Sequence, residues 1–172
     1  IGNLEEDAIY TLTCSIKDMA EHTKTLMHLE DGNEYETIQF SINREGSTFG
    51  LDESTMKLVQ NYYVQSVLED IVIMEVNTDS LSEYQVTLNG EELTKDMHYT
   101  LTEEGGSGEW KKYTYSVNKD LFKEEGEYTI VISSKDAAEN TAFSDVKNAT
   151  VSFVVDKTAP IVTVSGLASN AS

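Results

Sequence analysis

Apolar residues fall at every second position over much of this chain, the signature of strands with one face on a core. Tyr84, Val86 and Leu88 alternate up to Asn89-Gly90, a tight-turn pair. Tyr99 and Leu101 mark a short strand that runs out at Glu103-Glu104-Gly105-Gly106-Ser107-Gly108. Tyr113, Tyr115 and Val117 share one face of the next strand, Tyr128, Ile130 and Ile132 of another, and Val151, Phe153 and Val155 of a third. Ile71 to Val76 is more continuously apolar, as a central strand is. With Phe49 and Leu51 as the opening strand, the pattern predicts seven short strands, a β-sandwich. Between the first two, Asp52-Glu53-Ser54-Thr55 has the form of a helix cap, with Met56, Val59, Tyr63 and Val67 at helical spacing. Tyr62, Tyr63 and Val64 favour strand, and the expectation here is an extended or looped crossover.

The chain also repeats itself. Asp7 to Thr23 sets onto Glu125 to Thr141, with Tyr10 on Tyr128 and Lys17-Asp18 on Lys135-Asp136. Ile38, Phe40 and Ile42 then fall on Val151, Phe153 and Val155, after a connection five residues longer in the first copy. The predicted organisation is a C-terminal hairpin of one repeat (1–44), a complete repeat (45–156), and a linker with the first strand of another (157–172). Pro160, the only proline, stiffens the linker Asp156-Lys157-Thr158-Ala159-Pro160. Its counterpart Asn43-Arg44-Glu45-Gly46-Ser47 has Gly and Ser instead and reads as the more bendable junction. Cys14 matches Ile132, which places it in the core as a small hydrophobe.

Glu124-Glu125-Gly126-Glu127-Tyr128 has the shape of a tyrosine corner, in which the hydroxyl folds back on the preceding backbone, and Glu6-Asp7-Ala8-Ile9-Tyr10 repeats it. Together with Lys135-Asp136-Ala137-Ala138-Glu139-Asn140-Thr141 and Val155-Asp156-Lys157-Thr158-Ala159-Pro160, these residues resemble the bacterial immunoglobulin-like tandem repeats of Gram-positive cell-surface proteins. The resemblance covers the complete repeat and the hairpin before it. It implies an all-β fold, an immunoglobulin-like antiparallel β-sandwich of about seven strands in a tandem array, on the bacterial cell surface. Glu139 stands where that family commonly has glycine, which puts its usual turn geometry in question.

Composition narrows the function. With 12 basic and 31 acidic residues the formal charge is −19, which argues against nucleic acid and anionic membranes. There is no apolar run of membrane-spanning length. His22, His28 and His98 stand beside no nucleophile or metalloprotease motif. The pairs Glu5-Glu6, Glu91-Glu92, Glu103-Glu104 and Glu124-Glu125 lie at strand ends or turns and read as a solvated rim rather than a glycosidase pair. The chain is therefore read as non-enzymatic and without a cofactor.

Asp136, Glu139, Asn140 and Asp156 offer oxygen ligands for calcium, if they converge at a domain end. Local turn bonding by Asp136 and Asn140 is the preferred reading. A buried Lys–Asn crosslink is a further option. The expected partners are neighbouring repeats and a host extracellular protein, an immunoglobulin or other glycoprotein. The candidate contacts are Tyr62, Tyr63 and Val64 in the crossover, and Leu26, Met27 and Leu29 in the long connection, the latter group preferably packing on the following repeat. The rival readings are a passive stalk and a carbohydrate-binding accessory module of a secreted glycosidase. The second rests on Trp110 beside the glycine-rich loop, where covering the core end of its strand is the preferred role.

Overall fold

The computed structural model describes residues 4–28, 30 and 32–163. Strands β1 (Ala8–Thr13) and β2 (Thr37–Ile42) form a hairpin of their own. There follow β3 (Thr48–Leu51), helix α1 (Glu53–Asn61), β4 (Tyr63–Val64), β5 (Ile71–Asn77), β6 (Leu81–Leu88), β7 (Glu91–Glu92) and β8 (Tyr99–Glu104). The series ends with β9 (Lys111–Val117), β10 (Gly126–Asp136), β11 (Thr141–Ala142) and β12 (Thr150–Val155). One sheet runs β7-β6-β10-β12-β4, with β11 also on β10, and the other runs β8-β9-β5-β3. The pairs in these two sheets are antiparallel, except that β4 lies parallel to β12. The two sheets close over one core, in which Ile71, Ile73, Tyr115, Ile130, Ile132, Val151 and Phe153 are buried.

The seven strands expected from alternation are present, joined by three two-residue strands. Asn89 and Gly90 both take positive φ (50° and 86°), as the two-residue turn between β6 and β7 requires. β5 lies between β9 and β3, and its second face is half-buried by Val72, Met74 and Val76. Its inward face changes character along its length, from Ile71 and Ile73 to Glu75 and Asn77. β10 changes in step, from Ile130 and Ile132 to Ser134 and Asp136. One end of the core is therefore apolar and the other is polar.

The crossover is a helix, contrary to expectation. The Asp52 carboxylate accepts the Thr55 N–H at 2.9 Å, satisfying a donor that a helix start leaves free, and also accepts the Ser54 hydroxyl at 2.8 Å. Thr55 is buried, and its hydroxyl accepts the Val72 N–H from β5, which anchors the first turn to the sheet. The strand-favouring Tyr62, Tyr63 and Val64 fall after the helix rather than in it.

The two matched segments share geometry as well as letters. Tyr10 pairs with Phe40 as Tyr128 pairs with Phe153, and the rings stack at 5.7 and 5.5 Å. Both corners form: Tyr10 Oη donates to the Glu6 carbonyl and Tyr128 Oη to the Glu124 carbonyl, each at 2.9 Å. Tyr128→Phe should lower stability by about 1 kcal/mol, the net worth of one hydrogen bond, as read from a shifted urea midpoint at unchanged slope.

The hairpin's apolar face is less covered than its counterpart. Leu12 is 38% exposed where Ile130 is 0% exposed, and Phe40 41% where Phe153 is 1%. Cys14 is exposed rather than buried, because β1 ends at Thr13 and nothing among the described residues closes over this face. Glu21 and Glu139 both adopt positive φ (72° and 70°), so the turn after each Lys-Asp forms with glutamate in place of glycine. Each glutamate reaches back to its lysine, Lys17–Glu21 at 2.8 Å and Lys135–Glu139 at 2.5 Å.

Candidate functional site

Two places in the chain carry more organised polar or aromatic structure than the fold alone demands. The first is the joint between hairpin and repeat. Asn43 Nδ2 donates to Asn77 Oδ1 and to Asp136 Oδ2, both at 2.8 Å. Asn140 Nδ2 donates to the Asn43 carbonyl and to Asp136 Oδ2, both at 3.1 Å. Asn77 Nδ2 completes the cluster, donating to Asp136 Oδ2 at 3.1 Å and Ser47 Oγ at 2.9 Å. Gly46 fits because it takes φ +75°, and because a Cβ there would stand 2.9 Å from Asn140 Cβ.

Looking backward, Asp7 Oδ2 accepts the N–H groups of Arg44 and Glu45 at 2.8 Å each. The Arg44 guanidinium donates to the carbonyls of Glu5 and Leu4. The same clamp recurs at the other linker. Glu125 accepts the Lys157 N–H at 2.5 Å and the Thr158 hydroxyl at 3.0 Å, and Lys157 Nζ donates to the Lys123 carbonyl. These bonds argue against a loose joint at residues 43–47. Gly46 there serves close approach rather than freedom, and the Ser47 hydroxyl is an acceptor.

Burial on its own would raise the pKa of Asp136. The donors from Asn77, Asn140 and Asn43 outweigh that effect and hold it below the ordinary carboxylate range. Asp136 and Asn140 therefore bond within their own turn, as expected, and across the joint as well. The set weighed for calcium does not converge. Asp156 follows Val155, which pairs with Gly126, and Asp136 lies at the far end of that strand, about 30 Å away at the usual rise per residue. Among the described residues no cluster of three or more His, Cys, Asp or Glu side chains has metal-holding geometry.

The second place is the turn from α1 into β4. Tyr62 N–H caps the helix by donating to the Leu58 carbonyl, with Tyr62 at φ 62° and ψ −50°. That is a rare, strained backbone region for a bulky residue and costs about 1–3 kcal/mol. At this turn the Tyr62 and Tyr63 rings stand edge to face at 5.1 Å, with Tyr63 67% exposed and Tyr62 42% exposed. Val64 is half-buried and packs on the core. A cleft of about 510 Å³ adjoins the turn, between α1 and residues 66–71.

The remaining candidates are scattered. Leu26 is exposed and Met27 half-buried, in the hairpin's long connection; Leu29 lies outside the described residues. Contacts between this hairpin and the segment that follows include those of residues 43–46 and of Gln39, whose amide fills the space beside Gly108. Trp110 does not cover the core end of its strand. It is half-exposed, while the glycine-rich loop folds back on its carbonyl and is tied by Lys111 Nζ to the Gly105 and Gly106 carbonyls. His22 bonds Asp18, and His98 Nδ1 accepts the Thr94 N–H. Asn77 is buried, but no lysine among the described residues is, so the Lys–Asn crosslink has no pair of buried groups to form from.

Sequence reasoning missed the joint, which no local pattern announces, and Glu75, which shares its end of the core. No helix among the described residues is long and apolar enough to cross a membrane. No family model matches the chain, and neither a curated protein nor a solved structure matches it.

Proposed function

We propose that the chain is a non-enzymatic stretch of an immunoglobulin-like array on a bacterial cell surface, and that it binds a host extracellular protein, an immunoglobulin or other glycoprotein. The observation that carries the modular part is the recurrence of one hairpin, one tyrosine corner and one linker clamp at equivalent positions. The strand order supports the immunoglobulin-like reading. β3-β5-β9-β8 and β4-β12-β10-β6-β7 follow the two sheets of such a sandwich, with the tyrosine corner at the start of its sixth strand. The binding part rests on the Tyr62–Tyr63 turn, where exposed aromatic rings stand on strained backbone.

The immobilised protein should retain a component of host secretions, purified immunoglobulins being tested separately. Tyr62→Ala/Tyr63→Ala should weaken that binding at least tenfold, about 1.4 kcal/mol, with an unchanged melting midpoint. Undiminished binding by this variant would remove the site assignment. The bonded joint also favours a second role for the same chain, as a stiff spacer, which variants at the joint test.

A further inference from the structure

Resting on the reading of the Tyr62–Tyr63 turn as the partner site, we infer that the partner engages it as an added strand: an extended, lysine- or arginine-bearing segment that pairs with the free edge of β4. Among the described residues β4 is the last strand of its sheet. Its inner edge is used, the Tyr62 carbonyl accepting the Val154 N–H at 2.7 Å and the Val64 carbonyl the Asp156 N–H at 2.9 Å. In a parallel ladder alternate residues face the neighbouring strand, so the N–H and C=O of Tyr63 point away from it. An open edge with no charged residue of its own is a template for another strand.

Side chains around this edge define what such a strand carries. Tyr63, Tyr62 and Leu68 (76% exposed) offer apolar surface on which an aliphatic side chain rests. The adjoining cleft is lined by Asp52, Glu53, Glu69 and Asp70, and its one lysine, Lys57, is already paired with Glu53 at 2.5 Å. Lys119, Lys123 and Lys157 line the other side of residues 66–67. Of these, Lys123 is paired with Asp120, while Lys119 and Lys157 donate to the Leu68 and Lys123 carbonyls and keep their charge on that far side. On the α1 side Asp52, Glu69 and Asp70 have no lysine or arginine paired with them among the described residues, so the charge there is negative and the complementary segment is basic on the side that lies over α1.

Three synthetic seven-residue peptides with blocked ends test this: one alternating Lys and Val, one alternating Glu and Val, and the Lys–Val peptide N-methylated at alternate amides. Amide NMR shifts of the protein are followed at two salt concentrations. The Lys–Val peptide should shift Tyr63, Val64 and Glu69, and bind roughly tenfold tighter than either other peptide. Glu69→Lys should cost it several-fold in affinity and reduce its salt dependence. Equal binding by the N-methylated peptide, preference for the Glu–Val peptide, or shifts spread over the acidic surface without focus on β4 would each overturn strand addition. If Tyr62→Ala/Tyr63→Ala abolishes capture of the host component while the Lys–Val peptide fails to bind β4, the turn stands as a partner site and only the strand mode fails. If that variant still captures the component, the site reading itself fails.

Discussion

Asp136→Ala should destabilise the repeat by about 3–4 kcal/mol and loosen the joint in the same stroke. Asp136 is 1% exposed, and four donors converge on it: the side-chain amides of Asn43, Asn77 and Asn140 on Oδ2, and the Asn140 N–H on Oδ1. Truncation takes the Asn140 N–H's acceptor and leaves each of the three amides one bond short, at roughly 1–3 kcal/mol for each N–H that stays buried. Asn43 and Asn140 are half-exposed and regain water, which keeps the total below the sum. Asn43→Ala separates the two effects. It removes the side-chain bonds from Asn43 to Asn77 and Asp136 but keeps the Asn77 and Asn140 bonds to Asp136 and the Asn140 bond to the Asn43 carbonyl, so stability should fall by only about 1 kcal/mol. Backbone relaxation should then show the β1–β2 hairpin tumbling more independently, and scattering a broader shape distribution. An unchanged hairpin in both variants would count against the bonded joint and the spacer role.

Acid should act through the same carboxylate. Its pKa is depressed in the folded state, so its contribution is fully present above the ordinary aspartate value and is lost as the pH falls through the folded value. Wild type should therefore lose stability below about pH 4 more steeply than Asp136→Ala. The difference between the two melting curves is the measurement, since the other acids titrate in both proteins.

The parts of the fold read correctly in advance are those that local chemistry determines. Alternation placed the strands, Asn89-Gly90 placed a turn, and the repeat placed two tyrosine corners from a five-residue pattern. The helix was misjudged because β-branched and aromatic residues just beyond it were weighed as part of it, while its start is set by Asp52 alone. Cys14 was misplaced because equivalence to Ile132 assumes an equivalent cover. The joint was illegible for a different reason. Its bonds span 34, 93 and 97 residues of sequence, and the same Gly46-Ser47 that signals flexibility in isolation fits a tight contact in place. Glu75 was hidden inside a run that reads as apolar. At the tyrosine turn the broken alternation of Tyr62 and Tyr63 signalled their exposure; the strained cap that precedes β4 was not foreseeable.

Glu75→Ala should cost about 3–4 kcal/mol, yet removing the whole polar group around Glu75 should cost almost nothing. Glu75 is fully buried, and its cross-strand neighbours are Phe49 and Tyr113. Its carboxylate accepts the Tyr115 hydroxyl at 2.7 Å and the Ser134 hydroxyl at 2.5 Å. Among the described residues no lysine, arginine or histidine is paired with it. Burial and then the Glu75 charge push the Tyr115 phenol far above its usual range, so this hydroxyl stays protonated and donates. Alanine at 75 strands both hydroxyls and opens a cavity, and the two penalties add. A carboxylate kept in a core by two neutral donors has lost its hydration for a modest return. The triple variant Glu75→Leu/Ser134→Ala/Tyr115→Phe leaves no orphaned group and should come within about 1 kcal/mol of wild type, or exceed it. Single replacements at Tyr115 or Ser134 should each cost about 1–3 kcal/mol, because each takes a hydrogen-bond partner from a buried carboxyl group. Denaturant midpoints for the singles, Glu75→Ala and the triple give the coupling directly. A triple variant as unstable as Glu75→Ala would mean that the network itself, rather than the avoidance of unpaired groups, holds this end of the core together.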